Sequence, residues 1–243
     1  MFADIVSLQS FYQTALGTRT QRLLNAQLAA LWPSLRGDMV LTFGYGVPLL
    51  PDLAGRAASV LAFMPAGQGV APCSVSGANI SCLVDLNLLP LPDNSIDRIV
   101  MLHALEGASD PEIVLNEIWR VMKASGRLVV VVPNRMGLWT HSEHTPFGHG
   151  QPYSTTQIRT ILQNQGFCIE NMAPALYAPP CASRFCLSMG DRIEKYAARF
   201  FPALGGVVMV EASKQMHAPT PVKSHTRQSV FALPFPTAPL MPT

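Results

Sequence analysis

The stretch RIVMLHALEGASDPEIVLNEIWRVMKASGRLVVVV, residues 98–132, contains the signals of a strand, a helix and a second strand. Its two ends, RIVML and RLVVVV, are short apolar runs rich in β-branched residues, which are typical of strands buried on both faces. Between them, Asp110 is placed to cap a helix that begins at Pro111, and apolar residues then recur at helical spacing. A helix between two buried strands predicts a mainly parallel sheet.

The same alternation continues on both sides of this stretch. Towards the N-terminus, strands are predicted at MVLTF (39–43), SVLAF (59–63) and ISCLV (80–84). Towards the C-terminus, Ser154 and Gln157 form a capping box for a helix that stops at Gly166. A strand near 167–172, a helix near 187–200 and a last strand at 206–212 follow. The pattern predicts an α/β fold with a Rossmann-like, doubly wound sheet.

The two ends of the chain differ from this central region. Residues 1–35 predict two helices, with Gly17 separating them and Pro33 ending the second. Residues 216–243 are rich in proline and lack apolar periodicity, so we expect a disordered tail. The α/β domain accordingly spans residues 36–215.

Composition and charge narrow the classes of partner. The 243 residues are 49% apolar and 13% charged, but the longest apolar runs are strand-sized and far below the roughly 20 residues that cross a bilayer. The N-terminus lacks the basic flank and unbroken apolar stretch of a secretory signal. With a net charge of +2 and no basic cluster, the chain has little means of capturing nucleic acid. We therefore expect a cytoplasmic protein with a small-molecule substrate and neither a membrane nor a nucleic-acid partner.

The five cysteines are odd in number, scattered and free of C-x-x-C pairs, which favours reduced thiols. A protein partner stays open, because the apolar N-terminal helices or the proline-rich tail offer surfaces for one.

Ligands of doubly wound sheets bind at the carboxyl ends of the strands. After the first strand, VLTFGYGVPLL (40–50) places Gly44, Tyr45 and Gly46 in a turn whose backbone suits close approach of a ligand. Pro48 stands where a further glycine is expected, and the G-x-G-x-x-G spacing of a nicotinamide enzyme fails. A simple strand-to-helix turn explains these glycines about as well as a binding site.

Residues 82–134, CLVDLNLLPLPDNSIDRIVMLHALEGASDPEIVLNEIWRVMKASGRLVVVVPN, resemble the class I methyltransferases that use S-adenosylmethionine, in particular the methyltransferase type 11 family. The matching pieces are Asp85, the Leu-Pro-Leu-Pro-Asp run, the Leu-Glu pair after the fourth strand, and the Arg-Val-Met-Lys helix end. YSTTQIRTILQNQGF and GGVVMVEASKQ are also similar to the family. The resemblance covers roughly residues 36–215 and implies seven strands with the last antiparallel. It also implies S-adenosylmethionine as cofactor and methyl transfer to an unidentified small-molecule acceptor.

The resemblance implies a set of cofactor contacts. The glycine-rich turn would pass the amino acid end of the cofactor, Asp85 would accept a hydrogen bond from the adenine amino group, and Leu86 would donate its N–H to the adenine ring. His103 would lie between cofactor and acceptor. The predicted cofactor-binding residues are Phe43, Gly44, Tyr45, Gly46, Met64, Pro65, Gln68, Asp85, Leu86 and His103.

Two acids of the family are missing from this sequence. Thr42 stands near the end of the first strand where the family has a carboxylate, and the second strand ends in Met64-Pro65. We expect Gln68 or the backbone of MPAGQG to take over the ribose contacts and Met64 to pack against the adenine, which would make this a rebuilt site. Two alternatives stay open: Asp85 as a turn-capping acid and His103 as a hydrogen-bonded core histidine.

The loop GLWTHSEHTPFGHGQPYS, residues 137–154, follows the fifth strand and is the candidate substrate lid. His141, His144, His149 and Tyr153 are its predicted substrate-side residues. Their spacing matches no zinc pattern, so no metal is expected. An acceptor hydroxyl or protonated amine would need a base, for which His103, His144 and Tyr153 are candidates, and the catalytic residue stays unassigned.

The rival hypothesis follows from the missing acids. A methyltransferase fold that has lost its cofactor would serve as a catalytically silent, protein-binding module. A site for another nucleoside-containing ligand is a third alternative.

Overall fold

A computed structural model describes residues 3–75, 77–181 and 183–215 of the chain. The predicted tail at 216–243 lies outside the described residues. The centre of the structure is one sheet of seven strands: β1 Met39–Gly44, β2 Ser59–Pro65, β3 Ser81–Val84, β4 Ile96–Leu102, β5 Met122–Pro133, β6 Phe167–Ala175 and β7 Val207–Lys214.

The strand order is β3-β2-β1-β4-β5-β7-β6. The strand β7 is antiparallel to both of its neighbours, and the other neighbouring pairs are parallel. The predicted α/β class, the seven strands and the antiparallel last strand are confirmed. Because β1 lies between β2 and β4, the order reverses at β1, and the crevice that binds ligands in such folds starts at its carboxyl end.

The described residues form six α-helices: α1 Ile5–Gln13, α2 Ala15–Leu31, α3 Leu50–Arg56, α4 Pro111–Val121, α5 Thr155–Asn164 and α6 Arg184–Phe200. Of these, α1, α2 and α3 pack on one face of this sheet and α4 and α5 on the other. The expected caps are present: the Asp110 carboxylate accepts from the Glu112 and Ile113 amides, and Ser154 and Gln157 form the capping box of α5. In the part of the chain that the structure describes, we find no helix with the length and hydropathy needed to span a bilayer.

The structure corrects two local expectations. The helix α4 ends at Val121, and Met122 already begins β5, so the run interpreted as a helix end is divided between the two elements. The break between α1 and α2 lies at Thr14, whose hydroxyl accepts from the Gly17 amide at 3.0 Å. Gly17 itself lies inside α2, where a Cβ atom would approach the Phe11 carbonyl oxygen to 2.0 Å.

The first two helices share their core with the sheet. Leu8, Leu24 and Leu28 belong to the same buried cluster as Val40 and Val100. The other face of the sheet buries a second cluster under α4 and α5. The N-terminal helices predicted within residues 1–35 therefore contribute directly to the packing above the sheet.

We expect Gly17→Ala to destabilise the protein, because the new methyl group would overlap backbone atoms of Phe11 and Tyr12 that are fixed by α1. Overpacking of this kind costs about 1–3 kcal/mol. Gly55→Ala is the matched control: Gly55 is an exposed residue of α3, and among the described residues no atom outside its own helix backbone and its two neighbours lies within 4 Å of the position that its Cβ would take. Better helix propensity should make that change neutral or stabilising by up to about 1 kcal/mol. Urea unfolding of both variants measures the difference, and equal stabilities would contradict this packing.

Candidate functional site

The turn after β1 is held by contacts within the protein. Gly44 has a φ of +87°, and a Cβ there would lie 2.3 Å from the Leu102 carbonyl oxygen at the end of β4. A Cβ on Gly46 would lie 2.3 Å from the Cβ of Thr42. The tight-turn interpretation therefore explains both glycines without a ligand.

The helix α1 covers this turn. The ring of Tyr12 packs on that of Tyr45, with 5.7 Å between centroids, and Phe11 contacts Phe147 of the 137–154 loop at 6.4 Å. At the start of the helix, the Ile5 amide donates to the Gln68 carbonyl oxygen at 3.0 Å. Gly44, Tyr45 and Gly46 are consequently all buried.

His103 is the polar centre beneath α1. It is 3% exposed and has a φ of +53°, a backbone conformation that is uncommon for a residue with a side chain. Its Nε2 lies 2.9 Å from the Tyr12 hydroxyl, and its Nδ1 lies 3.2 Å from Oε1 of Glu106. Its carbonyl oxygen accepts from Nε2 of Gln68 at 2.8 Å. The predicted residues Gln68 and His103, from the ends of β2 and β4, thus meet at one point.

Two acceptors at this point have no hydrogen-bond partner among the described residues. They are Oε1 of Gln68 and Oε2 of Glu106, and both residues are more than nine-tenths buried. A buried polar atom left unpaired costs about 1–3 kcal/mol. The enclosed site therefore offers two unpaired acceptors to any ligand that brings N–H or O–H donors.

Burial also fixes the ionisation of the tyrosines around His103. Burial raises the pKa of Tyr12 well above its usual value, with the neighbouring Tyr45 and Glu106 adding to the shift. Burial raises the pKa of Tyr45 to about 12 and that of Tyr153 to about 12, with Glu106 contributing to the latter. All three side chains keep their protons at neutral pH.

The remaining predicted cofactor residues are dispersed. The side chain of Phe43 belongs to the core cluster under α4. Met64 is fully buried, and its sulfur accepts from the Ala71 amide at 3.3 Å, while Pro65 is buried at the end of β2. Met64 is therefore packed inside the protein in this arrangement, below any surface that an adenine ring could contact.

Asp85 lies at the open end of β3. It is exposed, and its Oδ1 accepts from the Asn87 amide at 2.9 Å, the hydrogen bond of a turn-capping acid. Leu86 beside it is half-buried against the second core cluster. Asp85 thus caps a turn while its carboxylate stays at the protein surface.

The 137–154 loop separates its four predicted residues. His144 and His149 line an open groove of about 750 Å³ together with Ser7, Ser10 and Thr14 along α1. His141 does not line this groove. Its Nδ1 lies 3.3 Å from the Gly137 carbonyl oxygen. Tyr153 is buried elsewhere and donates its hydroxyl to the Leu105 carbonyl oxygen at 3.3 Å. Within the described ranges, no group of three or more His, Cys, Asp or Glu residues is arranged to hold a metal ion.

Tyr12 was missed as a site residue by the sequence analysis. Its position on the apolar face of α1 predicted burial, but nothing in the helix pattern identified a partner 91 residues away. The one signal in the sequence was a hydroxyl-bearing ring on an otherwise apolar face, since buried tyrosine hydroxyls usually have a partner.

Comparison with known proteins agrees with this architecture. Residues 47–130 match the family described as a methyltransferase domain. The matched segment contains β2, β3, β4 and the larger part of β5, whereas β1 and β7 lie outside it. The matched segment covers about a third of the chain, from just before α3 into β5.

Curated relatives are similar to this chain over part of their length. A probable S-adenosylmethionine-dependent methyltransferase of Mycolicibacterium smegmatis is 26% identical over 113 residues, 46% of this chain and 44% of the relative. The demethylmenaquinone methyltransferase of Streptomyces avermitilis is 31% identical over 93 residues, 34% of this chain and 40% of the relative. The matched segments thus span less than half of these relatives.

A solved structure is similar over more of the chain. The putative methyltransferase of Haloferax volcanii, solved in complex with the Trm112 methyltransferase activator, superposes with a TM-score of 0.59 and 19% identity. The superposition covers 80% of this chain and 90% of that one. At this identity the similarity concerns the fold.

We expect the protein to lose stability at alkaline pH through Tyr12 of α1 and Tyr45 beneath it. Unfolded tyrosines release their protons near pH 10, whereas the folded pKa of Tyr45 is about 12, so stability is fully present below pH 10 and is lost as the pH rises towards 12. Tyr12→Phe removes one of these groups and should weaken the fall in melting temperature between pH 8 and pH 11. The exposed Tyr196 provides the control, Tyr196→Phe. An alkaline profile that is the same in all three proteins would contradict the burial of Tyr12.

Proposed function

We propose that this protein is an S-adenosylmethionine-dependent methyltransferase that acts on a small-molecule acceptor. The observation that carries the proposal is the combination of the β3-β2-β1-β4-β5-β7-β6 sheet with the family match at residues 47–130. The names of the curated relatives support the same activity. Because the chain matches only part of those relatives, the activity and the acceptor are both proposals.

The polar groups beneath α1 suit this cofactor. S-Adenosylmethionine carries hydrogen-bond donors on its ribose, its adenine and its ammonium group, and the site has two buried acceptors without partners, on Gln68 and Glu106. Gln68 follows the end of β2, where the family has an acid, and its Oε1 would accept from a ribose hydroxyl. Glu106 would hold a cationic group, and Asp85 would retain its predicted contact with the adenine amino group. When bound, the cofactor supplies a methyl group on a positively charged sulfur.

The arrangement described above is the closed form of this site. Tyr12, Tyr45 and Phe147 fill the space above the β1 turn with ring contacts, so α1 must leave the turn before the cofactor can lie there. The costs of the two unpaired acceptors oppose closure, whereas the ring contacts and the Tyr12–His103 hydrogen bond favour it. Because these free energies oppose one another, α1 is suited to move when a ligand donates hydrogen bonds to Gln68 and Glu106.

Among the three candidate bases, His103 is the best supported. The Glu106 carboxylate faces Nδ1, so the ring proton is held there and Nε2 keeps its lone pair. In the closed form Nε2 accepts from the neutral Tyr12 hydroxyl. Once Tyr12 has moved, Nε2 would accept the proton of an acceptor hydroxyl or ammonium. Tyr153 is a poor base, because its hydroxyl donates to a backbone carbonyl and its pKa is about 12.

The groove between α1 and the 137–154 loop is the proposed acceptor side. It is lined by Ser7, Ser10 and Thr14 as well as by His144 and His149. Phe11 and Pro146 line the same groove, and Phe11 is also part of the cover over the β1 turn. Movement of α1 would therefore join the groove to the site of His103.

The buried turn and the carboxylate-free end of β2 favour a second candidate. In this alternative the closed form is permanent, and the domain is a silent module that binds another protein. The two candidates differ in whether the purified chain binds the cofactor.

Calorimetric titration with S-adenosylmethionine and its demethylated product tests the proposal. We expect binding to the wild-type protein, and Asp85→Ala should weaken it about ten- to a hundredfold through loss of a charge-assisted hydrogen bond. Glu112→Ala, an exposed acid at the start of α4, is the control and should bind as the wild type does.

Absence of binding to ligand-free wild-type protein would overturn the enzyme proposal and favour the silent module. Binding with equal affinity in Asp85→Ala would retain the cofactor but remove Asp85 from its site.

A further inference from the structure

The outer face of α6 exposes large apolar side chains in a continuous stripe. Tyr196 and Phe200 are 64% and 65% exposed, and Phe201, just beyond the helix, is 59% exposed. Met189 and Ile193 lie on the same face, at the four- and seven-residue spacings that align side chains along a helix. Together these residues line an open depression of about 570 Å³. Exposed apolar patches of this kind mark interaction surfaces.

Cationic side chains border this stripe. Arg192, Lys195 and Arg199 are all exposed, and their spacing places them along one edge of the apolar face. By sequence α6 contains four basic and two acidic residues. The edge of the aromatic stripe is therefore positively charged.

The opposite face of α6 packs against the rest of the protein, and one of the two acidic residues of the helix, Glu194, lies on that face. Oε2 of Glu194 accepts from the Tyr177 and Ala178 amides at 2.9 and 3.1 Å and lies 4.0 Å from the Arg19 guanidinium. Gly190 is packed against Arg19. Anchored this way, α6 presents its aromatic stripe and basic edge outward while Glu194 is turned inward.

We propose that α6 is a membrane-surface helix that docks on anionic phospholipid. Aromatic and aliphatic side chains would enter the boundary between headgroups and acyl chains, and arginine and lysine would contact the phosphates. Interfacial helices bind membranes through these two kinds of contact. An anionic lipid surface suits this face because the apolar stripe is open and elongated and its border is cationic. The proposal is independent of the methyltransferase activity. It also differs from the sequence expectation of no membrane partner, which addressed only segments that span a bilayer.

Vesicle sedimentation with the full-length protein tests this docking. The protein should sediment with vesicles of phosphatidylglycerol and phosphatidylcholine, bind less at high salt because screening weakens the basic edge, and bind poorly to pure phosphatidylcholine. The double variant Phe200→Ser, Phe201→Ser should lower the partition coefficient about tenfold or more. Met136→Ser, which changes an apolar residue that is 64% exposed on another surface, should partition as the wild type does.

A charge-matched pair of variants separates local from overall electrostatics. Neutralising Arg192, Lys195 and Arg199 to Gln should reduce binding to the anionic vesicles, whereas neutralising the exposed Arg36, Arg135 and Arg159 to Gln removes the same charge elsewhere and should have a much smaller effect. Equal effects of the two triple variants would overturn the assignment to α6, as would failure of the wild type to bind anionic vesicles. Concentration-dependent dimerisation that is abolished by the Phe200 and Phe201 changes would assign the face to a second copy of the chain and also overturn the proposal.

Discussion

The hydrogen bond between Tyr12 and His103 holds α1 over the carboxyl ends of β1 and β4, where the proposed site lies. It joins α1 to the end of β4 at 2.9 Å in a fully buried setting. With the ring of Tyr12 on Tyr45 and that of Phe11 on Phe147, it places a helix from the N-terminus over the point where the strand order reverses. The same helix forms one wall of the groove that holds His144 and His149. In the proposed function a single element would thereby control access both to the cofactor turn and to the acceptor side.

The free energies around this contact oppose one another. Aromatic pairs contribute about 0.5–1.5 kcal/mol each beyond the area they bury, and a neutral hydrogen bond contributes about 0.5–1.5 kcal/mol. The unpaired acceptors of Gln68 and Glu106 cost about 1–3 kcal/mol each. The proposed opening of α1 would exchange these terms of similar size and opposite sign, and it would also expose the side chains of Leu8, Phe11 and Tyr12 that are buried in the core.

Much of the fold followed from local sequence signals, but the closed site did not. Asp110 and Ser154 cap helices as expected, and each predicted strand is present, because buried β-branched runs and caps depend on neighbouring residues. The position of α1 depends on contacts between residues that are far apart in sequence, such as Tyr12 and His103. The apolar face of a helix predicts that the face is buried, but it does not identify the surface against which it packs. Met64 was expected to pack against an adenine in a rebuilt site, but the described packing buries it in the core. Gly17 was interpreted as a helix break, whereas close approach to Phe11 explains it.

Hydrogen exchange of residues 5–13, measured by mass spectrometry with and without saturating S-adenosylhomocysteine, tests the central claim that the cofactor site opens by displacement of α1. The account predicts faster amide exchange across α1 in the ligand-bound protein, because the contacts of Phe11 and Tyr12 are lost, and slower exchange in the turn at 43–46. Unchanged or slower exchange across α1 at saturation would contradict it, since the ligand would then bind without moving the helix that covers the turn.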